Sequence, residues 1–257
     1  MRPEVMTLRR AVQAAGHALA EQAYAAVRRA FEERLDPAAL APEYGRREYL
    51  LALNADGAPI PATATMAKDF RRTAARWPAF GLWFREEALG ARPVLLPARW
   101  LCHLAGLRHT TVQWFLDDAE REGYTLAQVR GGDRPEAPGC LDLPAAGHVV
   151  GATAPDEARW LELREELGLE LGDLAEVAPL ACYDYVDPAD DGAIYNAERR
   201  HVYRGRLGAG GLSRLRFVDG EVAAIALFAV PALAALIERF PERVASGLRA
   251  SWRYYAP

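Results

Sequence analysis

Cysteine is scarce in this chain. Three occur among 257 residues, at positions 102, 140 and 182, an odd number with no Cys-x-x-Cys pair. That excludes a disulfide framework or a structural zinc knot; reduced thiols are the simpler account, and a cytoplasmic setting is expected. A large charge of either sign is also missing. Lys+Arg 31 against Asp+Glu 35 leaves a net charge of -4, so no basic surface spread over the molecule invites a nucleic-acid duplex. Long apolar runs are few. Residues 222–237 carry no charge, yet they fall short of the roughly 20 residues a spanning helix needs, and Pro231 divides them. No membrane partner is expected. The stretch reads instead as a buried strand, Val222 to Val230, then a helix from Pro231 to Phe240 with proline in its first turn. The opening seven residues lack the compact apolar segment of a signal peptide.

What is present begins with core-forming capacity: at 51% hydrophobic, the chain can bury one large core or two smaller ones. Leu8, Val12, Ala15, Leu19, Ala23, Val27 and Phe31 advance by threes and fours, which predicts one long amphipathic helix covering a core or a second copy in a homodimer. Tyr49 to Asn54 reads as a strand and Asn54-Ala-Asp-Gly57 as a turn. Aromatic residues gather in Trp77 to Phe84, either as core or as a stacking surface for part of a substrate. Residues 1–105 are therefore read as an α-rich accessory N-terminal domain of unknown role. Further on, Tyr124 to Arg130 and Tyr195 to Leu207 read as strands. The final uncharged strand is entered through Asp219-Gly220-Glu221.

The chemistry concentrates between Gly147 and Leu169. On a helix, Glu162, Glu165 and Glu166 stand at i, i+3 and i+4 and share one face, while Trp160, Leu163 and Leu167 point the other way. Like charges at this spacing destabilise a helix by a few tenths of a kcal/mol per pair. A divalent cation that prefers oxygen ligands, such as Mg²⁺, reverses that sign. A solvated face usually mixes charges at i, i+4, and here only Arg164 interrupts the acids. Gly147 suits a tight strand-to-loop corner, and Gly168 a helix C′ position. Thr153, with Pro155 and Asp156 after it, reads as an N-cap.

This run resembles the signature of the Nudix hydrolases: Gly, five residues, Glu, seven residues, then Arg-Glu-apolar-any-Glu-Glu-any-Gly-apolar. Gly147, Glu162, Leu163, Glu165, Glu166 and Gly168-Leu169 fall on its anchors without a gap. Thr153 stands where the family has its first glutamate and Leu161 where it has arginine; in the family those two side chains brace the loop against the helix. Upstream, Arg130 and Arg134 precede Pro138-Gly139, and Ala146-Gly147-His148 opens the run. This looks most like the branch containing isopentenyl-diphosphate isomerase and related hydrolases. Leu96 to Leu107 is similar to the interdomain segment of Nudix proteins related to thiamine diphosphate.

The resemblance implies a Nudix-type α/β/α sandwich with a mixed sheet over residues 106–257, behind the α-rich extension. It also implies Mg²⁺, with Mn²⁺ as a substitute, held by Glu162, Glu165, Glu166 and the Gly147 carbonyl. Glu165 or Glu166 would orient the attacking water, and Arg130 and Arg134 would hold a small-molecule diphosphate; the plainer account of the two arginines is a solvated loop. His148 and Glu198 fall where the isomerase binds its own metal, although His148 reads equally as structural. Glu221 is a further acid beside a turn. The isomerase carries cysteine where this chain has Ala146 and a second acid where it has Asn196, so the expectation is hydrolysis of an organic diphosphate. A non-catalytic binding module is the alternative that Thr153 and Leu161 keep open, and an isomerase the lesser one.

Overall fold

Two short helices stand where the apolar periodicity predicts one. α1 (Pro3–Ala14) and α2 (Glu21–Glu33) are separated at Gly16 and His17, both of which take left-handed backbone, φ 71 and 61. For histidine that conformation is strained; the ring is tied by Nδ1 donating to the Gly106 carbonyl at 3.0 Å. The apolar positions continue in phase across the break, so periodicity alone cannot locate it. In the computed structural model, residues 3–33, 48–134, 136–188, 195–217 and 220–256 are described. Asp219 of the expected turn lies outside them.

The chain divides into two compact units. The first comprises Met1–Thr110, His148–Thr153 and Asp184–Arg199, and the second Thr111–Gly147, Ala154–Tyr183 and Arg200–Pro257. In the first, α1, α2, α3 (Ala64–Arg76) and α4 (Arg99–Ala105) surround an apolar core with the hairpin β1 (Phe84–Leu89) and β2 (Arg92–Pro97). The aromatic run expected as core or stacking surface is core: Phe80, Trp83 and Phe84 are fully enclosed and meet Tyr24, Phe31 and Phe70 ring to ring. The predicted strand at Tyr49 to Asn54 forms only isolated bridges, to Ala98, Val150, Gly151 and Pro59. The Asn54 turn is as expected, closed by Gly57 N–H to Asn54 O and Ala58 N–H to Asn54 Oδ1.

The remaining strands are β3 (His109–Asp117), β4 (Tyr124–Arg130), β5 (Leu141–Asp142), β6 (Ala145–His148), β7 (Leu174–Pro188), β8 (Tyr195–Leu207) and β9 (Val222–Ala229). They form a seven-stranded sheet in the order β5-β4-β3-β8-β7, with β6 on β3 and β9 on β4. Successive side chains of a strand face opposite sides, and within the second unit β3 shows what covers each side. Trp114 meets Trp160 of α5 (Pro155–Leu167) at 5.3 Å, and its indole N–H donates to the Arg159 carbonyl. Phe115 stacks on Tyr255 of α8 (Ser246–Tyr255) at 4.5 Å, in a core shared with Leu233 of α7 (Val230–Arg239). Helices thus cover both faces, the α/β/α layering expected; α6 (Gly211–Arg214) is a single turn.

Two further expectations are corrected. β9 is not a buried strand: only Val222 is enclosed and Ala223 and Ala224 are exposed, because β9 pairs with β4 alone and lies at the sheet edge. The cap of α5 is Ala154, without a side-chain bond, rather than Thr153. At its other end Gly168 closes the helix in left-handed backbone, φ 66, as the motif requires.

Candidate active site

Helix α5 does not present its three glutamates alike. At 3.6 residues per turn, Glu166 stands about 40° from Glu162 toward Leu163, whereas Glu165 stands on the far side of Glu162. Leu163 and Leu167 are fully buried, and Glu166 goes in with them at 3% exposure. Glu162 is half-buried and Glu165 is exposed.

The sheet supplies partners for the buried carboxylate. Glu166 Oε1 accepts from the Ala146 backbone N–H of β6 at 3.2 Å, and Oε2 accepts from Gln128 Nε2 of β4 at 3.1 Å. The next residue of β6 is Gly147, whose backbone lies so close to Glu162 that a Cβ there would overlap the carboxylate. One short strand therefore holds two glutamates of one helix, and only glycine permits the approach. Burial pushes the Glu166 carboxyl well above its ordinary range, and the carboxylates of Glu162, Glu221 and Asp142 push the same way, while the Ala146 N–H opposes them.

The expected diphosphate arginines border this cluster and are already paired with acids. Arg130 Nη1 lies 2.7 Å from Asp142 and its Nε donates to the Glu136 carbonyl. Arg134 lies 2.8 Å from Glu221, the acid expected beside a turn. Glu162, Glu166, Asp142 and Glu221 are thus brought to one end of β4, β5 and α5, rimmed by two guanidinium groups. Among the described residues no hydrogen bond or ion pair ties Glu165 into that cluster. Gln128, in the strand expected at Tyr124 to Arg130, and Asp142 were not expected as site residues, and their burial is what reveals them.

His148 and Glu198 belong to the first unit. Glu198 is buried on β8. His148, at the end of β6, meets two histidines that sequence reasoning did not select. His103 of α4, His109 of β3 and His148 place their ligating atoms within 4.8 Å of one another. His103 Nε2 and His148 Nε2 are 3.1 Å apart. His109 donates from Nδ1 to the Leu107 carbonyl at 2.9 Å, which fixes its tautomer and leaves Nε2 as the donor atom for a metal. Burial holds the His103 ring well below the usual imidazole range, helped by His109 and Arg99, so it stays neutral as a ligand must. Three of the chain's five histidines meet here.

No known protein-family model matches the chain, and no curated protein matches it. Solved structures of partial similarity include the protein DR0079 of Deinococcus radiodurans, 23% identical over 58% of this chain and 83% of that one, TM-score 0.46. A MutT Nudix hydrolase of Burkholderia pseudomallei is 22% identical over 57% of this chain and 97% of its own, TM-score 0.43. The Nudix domain of Shewanella oneidensis NrtR, solved with ADP-ribose, is 14% identical over 58% and 88%, TM-score 0.41. Among the described residues no helix is long and apolar enough to cross a membrane.

Proposed function

We propose that the chain is a Nudix-type hydrolase that cleaves the diphosphate linkage of a nucleoside-diphosphate-linked or other organic diphosphate with the help of Mg²⁺ or Mn²⁺. The observation that carries this reading is the pairing of β6 with α5: Gly147 laid against Glu162 while Ala146 holds Glu166. A buried carboxylate whose charge is opposed by three other acids is stable as an anion only beside a cation, so the residues present fit a divalent ion. Glu162, Glu166, the more exposed Glu165 and the Gly147 carbonyl would hold it. When bound, such an ion neutralises diphosphate oxygens and lowers the pKa of a water.

The protein's own part is positioning, which is most of what phosphoryl transfer demands. Glu165 or Glu166 orients the attacking water, and its carboxylate takes the proton. Arg130 and Arg134 keep donors for the diphosphate beyond those spent on Asp142 and Glu221. Residues 106–257 carry the reaction in this reading and residues 1–105 are accessory. Ala146 has no thiol for an isomerase's proton transfers, which favours hydrolysis over isomerisation. The three-histidine cluster is read as a second metal position, suited to an ion such as Zn²⁺ or Mn²⁺ that accepts neutral imidazoles.

The test is release of phosphate, diphosphate or nucleoside monophosphate from sugar nucleotides, dinucleotides, nucleoside triphosphates, thiamine diphosphate and isoprenoid diphosphates. Wild type is compared with Glu165→Gln and Glu166→Gln, with and without Mg²⁺. Turnover that needs Mg²⁺ and is lost with Glu166 is the expected result. A wild type inert on the whole panel that still binds Mg²⁺ would replace the hydrolase with a binding module.

A further inference from the structure

Gln128 sits in the middle of β4 at 3% exposure, deep for a side chain with both a donor and an acceptor to satisfy. Its Nε2 is engaged by Glu166 Oε2 at 3.1 Å. Beside a cation Glu166 is ionised and only accepts, which sets the amide with its nitrogen toward Glu166. Its Oε1 is equally buried and meets no hydrogen-bond donor among the described residues. A carbonyl left in that state is costly, and a water that donates to it is one explanation such an atom calls for. Its partner Glu166 feels the charges of Glu162, Asp142 and Glu221, and Gln128 is paired with Asp142 across β4 and β5.

We propose that Gln128 is a positioning residue for the cation: its N–H sets the plane of the Glu166 carboxylate, and its Oε1 accepts a hydrogen bond from a water in the ion's hydration shell. This rests on the cation-dependent reading above. The chemistry suits Mg²⁺ or Mn²⁺, since Mg²⁺ keeps several waters when a protein binds it through few carboxylates. The Ala146 N–H on Oε1 of Glu166 and the Gln128 N–H on Oε2 together leave that carboxylate one orientation. Without the amide, one oxygen loses its anchor and the shell water loses its acceptor. Partners of this kind change metal affinity by about 10–100-fold when removed.

Gln128→Leu and Gln128→Met both delete the donor and the acceptor, and methionine nearly keeps the volume. Mn²⁺ binding to the substrate-free protein is titrated by electron paramagnetic resonance, with thermal unfolding in EDTA as the check on folding. The expected result is Mn²⁺ affinity weakened about 10–100-fold in both variants, with cooperative unfolding retained. The Mg²⁺ concentration for half-maximal turnover should rise by a similar factor while substrate KM at saturating Mg²⁺ stays unchanged. Wild-type Mn²⁺ affinity in both folded variants overturns the proposal, and recovery in Gln128→Met alone does so too by showing that volume sufficed. If either variant does not fold, the other decides. Glu166→Gln separates the two readings: loss of Mn²⁺ there alone sinks only the role of Gln128, whereas Mn²⁺ retained in Glu166→Gln sinks the cation site itself.

Discussion

Replacing Glu166 by glutamine should stabilise the metal-free protein, although the residue is almost wholly buried and hydrogen-bonded. Glu162 and Glu166 are one helical turn apart, and at about 5.5 Å with an effective dielectric of about 20 their repulsion is about 3 kcal/mol. The protein can escape by protonating Glu166, so the cost at pH 7 is capped by the free energy of protonating an ordinary carboxyl. From the reference value of 4.5, at about 1.36 kcal/mol per pH unit, that cap is about 3.4 kcal/mol. The glutamine amide disturbs one of the two N–H contacts from Ala146 and Gln128, a loss of about 1 kcal/mol. The net expectation is a gain of about 1–2 kcal/mol, or about 2–8 °C in the unfolding midpoint for a chain of this size.

The pH dependence has a definite sign. The folded-state pKa of Glu166 is raised, so its contribution is most favourable below the ordinary carboxyl range and is lost as pH rises toward the folded value. The advantage of Glu166→Gln should be near zero at pH 4.5 and grow toward neutrality. Mg²⁺ acts oppositely: at one hundred times its Kd it stabilises wild type by about 2.7 kcal/mol and leaves the variant unmoved. Scanning calorimetry in EDTA at pH 4.5 and 7, then in a Mg²⁺ series, reads all three quantities. A variant that melts below wild type in EDTA at pH 7, yet keeps the Mg²⁺ response, would refute the account of Glu166 as a destabilised cation ligand.

Gly147→Ala drives a methyl group into the Glu162 carboxylate and should weaken Mg²⁺ binding about 10–100-fold, read as the Mg²⁺ dependence of turnover. His109→Ala removes one of three imidazoles; Co²⁺ added to wild type should give a visible ligand-field absorption that this variant lacks, while Glu166→Gln retains it. Gly106→Ala places a Cβ 2.6 Å from the Tyr195 ring on backbone at φ 76, and a fall of about 1–3 kcal/mol in unfolding free energy is expected from denaturant titration.

How much of this was legible depended on whether a feature was local. Tyr124–Arg130 and Tyr195–Leu207 form strands with the expected bounds, since their β-branched and aromatic content needs no tertiary context to be read. Gly168 and the Asn54 turn were legible for a similar reason, each being a backbone requirement written at one or two positions. The break between α1 and α2 was not, because a helical repeat that stays in phase across Gly16 and His17 reports the buried face and not the continuity of the helix.

The site follows the same division. That three glutamates share a side of α5 is helix geometry, and the sequence states it plainly. Which of them is buried is decided by what lies opposite, and those residues come from β4 and β6, 38 and 20 positions away from Glu166. Tertiary packing therefore turned three equivalent carboxylates into three different ones: Glu166 enclosed and held by two N–H groups, Glu162 pressed by Gly147, and Glu165 left in solvent. The same limit hid His103, 45 positions from His148, since no periodicity connects residues at that separation. A motif match names the residue types a chemistry needs; the unequal environments that assign them separate tasks arise only when distant strands close on the helix.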